Sequence, residues 1–79
     1  MITINIRFRI LLLQDGTFRA DFEIFEYRGD KILVTSHTVN GPGLTTEEEA
    51  GWAIKSHVLK IIRILKEKHG QEVAVSYSD

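Results

Sequence analysis

Apolar residues recur at every second position from the start of the chain. Ile2, Ile4, Ile6, Phe8, Ile10 and Leu12 alternate with Thr3, Asn5, Arg7 and Arg9, the signature of a strand with one face in a core and the other in water. A second strand follows, with Phe18, Ala20, Phe22 and Ile24 on one face and Arg19, Asp21 and Glu23 on the other. A third runs from Lys31 to Val39. The period then changes. Ala50, Ala53, Ile54, Val58, Ile61, Ile62 and Leu65 fall on one broad helical stripe. After Gly70, Val73, Val75 and Tyr77 alternate again and predict a short fourth strand. The pattern therefore predicts an α+β fold, β-β-β-α-β. A three-stranded antiparallel sheet is followed by one long helix packed on one face and by a last strand reached through a parallel crossover.

Turn chemistry refines the strands. A two-residue loop at Asp15-Gly16 would set Phe8 opposite Glu23 and mix the faces. A three-residue loop, Gln14-Asp15-Gly16, with glycine in the left-handed position, pairs Ile6 with Ile24, Phe8 with Phe22 and Ile10 with Ala20. It also sets Arg9 against Asp21 and Arg7 against Glu23, so like meets like on one face and opposite charges meet on the other. The same reasoning at the second turn predicts a loop Tyr27-Arg28-Gly29, pairing Ile24 with Ile32 and Phe22 with Val34. Arg28-Gly29-Asp30 also spells an adhesion tripeptide, for which a glycine turn between strands is the simpler reading. Asn40-Gly-Pro-Gly43 ends the ladder. Thr45 or Thr46 caps the helix, with Glu48 or Glu49 closing a capping box. Acidic residues open the helix, Lys66, Lys68 and His69 close it, and Gly70 stops it.

Composition narrows the function. The 79 residues allow a single domain, 1–79, which buries roughly 60–65% of the surface its unfolded chain exposes. No cysteine is present to staple it, and domains of this size often gain stability by associating. Ten Lys+Arg against eleven Asp+Glu provide no net positive field for a nucleic acid. The longest apolar run, Ile10 to Leu13, is too short to span a bilayer. The alternating first residues lack the basic start and continuous apolar stretch of a signal peptide, so the expected location is cytoplasmic.

The candidate chemistry is sparse. His37, His57 and His69 have no metal-ligand spacing, and no nucleophile elbow or phosphate-binding glycine loop occurs. The order of elements, with Asp15-Gly16 after the first strand, Glu26-Tyr27-Arg28-Gly29 before the third, Glu48 or Glu49 opening the helix and Glu72 to Asp79 at the end, resembles the first half of the ribonuclease H-like fold. That resemblance implies metal-dependent phosphodiester cleavage, with Asp15, Glu48 or Glu49, and Asp79 as metal ligands. Thr46, Glu48, Glu49 and Ala50 at the helix start also resemble the N-terminal domain of HicB-type antitoxins, which implies binding to a toxin protein. A similarity to double-stranded RNA-binding domains ends at Glu47-Glu48-Glu49, where that family carries lysines. By residue type alone, Asp15 builds a turn and Glu48 and Glu49 cap a helix. The reading adopted is no catalytic residue, no cofactor and no metal.

Two sets of apolar residues are left without partners. Trp52 and Leu59 project opposite the helix's core stripe, among Lys55, Arg63 and Lys66, at about 100° per residue. An exposed Trp beside basic residues is a common interface anchor, although the Asn40–Leu44 loop could instead fold over it. Leu11, Leu13, Phe25 and Leu33 are expected on the sheet face away from the helix, a patch of the kind that marks association. The sequence thus points to a protein-interaction module that is a homodimer or a subunit of a complex. A nuclease-like fragment, or a nucleic-acid binder using Arg7, Arg9 and Arg19, stand as the alternatives.

Overall fold

The computed structural model describes residues 2–70 and 72–78. Its elements are β1 (Ile2–Leu12), β2 (Phe18–Arg28), β3 (Lys31–Asn40), α1 (Glu47–His69) and β4 (Val73–Ser78). The α+β order expected from the hydrophobic pattern is the one observed. The strands form one mixed sheet in the order β3-β2-β1-β4, with β4 parallel to β1 and the other pairs antiparallel. The crossover from β3 through the helix to β4 thus spans the two central strands.

The first hairpin has the expected register, with Ile6 opposite Ile24, Phe8 opposite Phe22 and Ile10 opposite Ala20. Leu13 and Thr17 close it through Leu13 N–H to Thr17 O at 2.8 Å. Between them lies the three-residue loop, with Gly16 at φ 86°. Asp15 Oδ1 accepts from the Thr17 amide at 3.0 Å and from its hydroxyl at 2.6 Å.

The second hairpin differs from expectation. Arg28 pairs with Lys31, so the loop is Gly29-Asp30 rather than Tyr27-Arg28-Gly29. Gly29 has φ 60°, and among the described residues no residue other than glycine has positive φ. This is the pattern of a type II′ turn, whose twist matches the flanking strands. Phe22 therefore faces His37 instead of Val34, and Ile24 faces Thr35 instead of Ile32. The change of parity turns every β3 side chain to the other side of the sheet. Leu33, Thr35, His37 and Val39 share the helix side, while Ile32 and Val34 share the open side.

Helix α1 forms as its ends dictate. Thr46 is the N-cap, accepting the Glu49 amide at 3.1 Å, while the Glu49 carboxylate accepts the hydroxyls of Thr45 at 2.7 Å and Thr46 at 3.1 Å. At the other end Gly70 adopts the left-handed conformation and donates to Lys66 O at 2.8 Å. Ala50, Ile54, Val58 and Leu65 are buried against Ile2, Ile4, Ile6, Ala20, Phe22 and Ile24. The core thus lies between the helix and the two central strands, and the helix rests mainly on β2. Val73, Val75 and Tyr77 of β4 stand beside Ile2, Ile4 and Ile6 on the same side. No helix is long and apolar enough to cross a membrane among the described residues.

Candidate interaction surfaces

Sheet pairing orders the side chains of the open face into rows. At one end Ile32, Tyr27, Thr3 and Ala74 form a row, followed by Val34, Phe25, Asn5 and Ser76. Beyond these come Ser36, Glu23, Arg7 and Ser78, then Thr38, Asp21 and Arg9, and lastly Arg19 beside Leu11. The face is therefore divided, with an apolar end and a charged end. Ile32 and Val34 are 59% and 51% exposed, and Phe25 and Tyr27 beside them are half-buried.

Only part of the expected sheet patch is found together. Phe25 belongs to the apolar end. Leu11 stands six positions along β1 from Asn5, the partner of Phe25, which is about 20 Å at 3.3 Å per residue. The charged rows lie between them. Leu13 closes the first turn rather than extending β1. Leu33 pairs with Glu26 on the helix side. Tyr27, Ile32 and Val34 take the place of Leu11, Leu13 and Leu33 in the cluster. The signal that could have revealed them is Gly29 itself, which suits the first position of a two-residue loop as well as the third of a longer one.

The charged end is organised around Asp21. Its carboxylate holds Arg19 Nη2 at 3.1 Å and Arg9 Nη2 at 4.0 Å, and accepts the Thr38 hydroxyl at 3.1 Å. Arg7 and Glu23 stand opposite each other without closing an ion pair among the described residues. On the helix, Trp52 and Leu59 are each 61% exposed. The Asn40–Leu44 loop does not cover Trp52; it is tied instead to the start of β2 by Phe18 N–H to Leu44 O at 2.8 Å. Lys55 Nζ lies 5.6 Å from the Trp52 ring, and Leu59 follows two turns along, about 10.5 Å away at 1.5 Å per residue.

The carboxylates named for metal binding are engaged locally. Hydrogen bonds from Thr17 hold the Asp15 carboxyl below its ordinary range. Those from Thr45 and Thr46 do the same for Glu49. Glu48 is exposed at the helix start, and Asp79 falls outside the described residues. No group of three or more His, Asp or Glu side chains that could hold a metal ion occurs among the described residues. His69 stands in the last helical turn with Lys66 and Lys68, as expected; its Nε2 lies 3.0 Å from Arg28 Nη1, and Arg28 Nε meets Glu26 at 2.6 Å. Sequence spacing also gave no hint that His37 and His57 meet across the helix–sheet junction, 4.6 Å apart between ring centroids. A scan against protein-family models, a search of curated proteins and a search of solved structures each returned no match.

Proposed function

We propose that this chain is a non-enzymatic protein-interaction module whose open sheet face associates with a second copy of itself. The observation that carries the reading is the cluster of Phe25, Tyr27, Ile32 and Val34 on a face that the single helix leaves uncovered. Among the described residues ten apolar side chains are buried, a small core, and domains with small cores gain much from covering such a face.

Size supports using the whole face. Four strands at about 4.8 Å by some 33 Å of length give roughly 600 Å² in projection. Stable interfaces bury about 600–1,000 Å² per partner, so the whole face reaches only the low end of that range, the apolar end alone is too small and the charged end must join in. A two-fold axis places the same surface on both copies. The alternating signs of Arg19, Asp21, Arg9, Glu23 and Arg7 let each copy offer an opposite charge to the other. The same arrangement weakens a nucleic-acid reading, because Asp21 already serves two of the three arginines. The nuclease reading is weakened by the local bonds of Asp15 and Glu49.

Light scattering between about 1 and 100 μM tests the proposal. The mass should approach twice the 9.0 kDa of one chain. Val34→Lys, on the open face, should shift it towards monomer, whereas Leu33→Lys and Trp52→Ala should leave it unchanged. A monomer at every concentration would refute the homodimer.

A further inference from the structure

Where the helix reaches the edge strand β3, two imidazoles and a phenyl ring make the contact. His37 on β3 stacks on Phe22 at 5.2 Å and 21°. His57 on α1 meets the same ring edge-on at 5.3 Å and 71°. The two imidazoles are 4.6 Å apart between centroids. The helix lies chiefly over β2, and this trio joins it to the edge strand beside the core contact of Val39.

No carboxylate forms an ion pair with either imidazole among the described residues. From its own helix, His57 feels Lys60; from β3 it feels His37. Phe22 of β2 is apolar, and His37 Nε2 has the Thr35 hydroxyl at 3.3 Å. The hollow beside His37 is also lined by Glu47, while Asp21, Glu23, Arg7, Arg9 and Arg19 at its margin belong to the opposite face of the sheet. While both rings are neutral they pack as aromatic groups. The face of Phe22 can favour one imidazolium, but a second would stand against the first, with the Lys60 ammonium nearby.

We propose that the His37–His57 pair is an acid-released clasp, whose protonation separates helix α1 from the β3 edge and opens Phe22 to solvent. Burial, then His37, then Lys60 push the His57 imidazole below its ordinary range, in keeping with a contact that favours the neutral ring. The proposal is independent of self-association, since both rings lie on the helix side of the sheet.

Proton NMR of the full chain between pH 7.5 and 5 tests it. Through-space contacts between the two imidazoles should be present at pH 7.5 and lost at pH 5, while the Ile6–Ile24 cross-strand contacts persist. After correction for intrinsic rates, β3 amides should exchange about tenfold faster at pH 5, the factor worth about one such charge contact in partly solvated surroundings. His57→Gln should abolish the acceleration, and His69→Gln should leave it in place. Should His57→Gln fail to fold, His57→Phe keeps an aromatic ring on Phe22, and its contact with His37 should survive at pH 5. Imidazole contacts that persist at pH 5 in the native chain, or an acceleration that persists without His57, would overturn the clasp.

Discussion

Adding one methyl group to this chain should have opposite effects at two glycines, and the backbone alone decides which. Gly29 sits at φ 60° in the second hairpin, with nothing within 4 Å of the place a Cβ would occupy. Gly51 lies inside helix α1, also with nothing within 4 Å, and its φ is not in the left-handed region. Steric overlap with neighbours is therefore absent at both, which leaves the local conformational terms. At Gly29 a side chain in the left-handed region costs about 1–2 kcal/mol. The stiffer unfolded chain returns about 0.4–1 kcal/mol of that, so Gly29→Ala should destabilise by about 1 kcal/mol. At Gly51 the helix already tolerates any L-residue, and alanine should stabilise by about 0.8–1 kcal/mol. For a domain of this size 1 kcal/mol moves Tm by about 4–8 °C. The two variants should therefore melt about 8–16 °C apart on either side of the parent in calorimetry or circular dichroism. A Gly29→Ala variant as stable as the parent would mean that the second loop is not built as described. A destabilised Gly51→Ala would mean that this helical turn packs against something else.

Other expectations follow from the same structure. Thr46→Ala removes the N-cap and should cost about 1 kcal/mol in urea denaturation. It should also lessen the acid sensitivity of the fold. Because the Glu49 carboxyl is held below its ordinary range by Thr45 and Thr46, its contribution is present above the ordinary carboxylate pKa and is lost as pH falls through the lowered one. That window lies below about pH 4.5. Ile4→Ala, at a fully buried position, should cost about 2–5 kcal/mol, whereas Leu12→Ala on the exposed end of the same strand should stay within about 0.5 kcal/mol. The purified chain with Mg²⁺ or Mn²⁺ should leave RNA, DNA and hybrid duplexes uncut on a denaturing gel. Cleavage that Asp15→Asn or Glu48→Gln abolishes would replace the interaction reading with a nuclease.

What sequence alone determined here was local or heavily buried. β1 and β2 carry clean alternation because the helix covers one face of both, so a register error there would bury Arg9 or Glu23, and only one pairing suits. The helix ends were equally legible, since a threonine cap, three glutamates and a left-handed glycine act within one turn. Tertiary structure decided the rest. Ile32-Leu33-Val34 is apolar at every position, so on an edge strand with neither face deeply buried the pattern favours no register. The turn at Gly29 and the pairing with β2 made the choice. That one choice sent Leu33 to the helix side, assembled Tyr27, Ile32 and Val34 around Phe25, and brought His37 against His57. Contacts between residues 20 positions apart depend on which way a strand faces, and no local spacing in an evenly apolar segment encodes that.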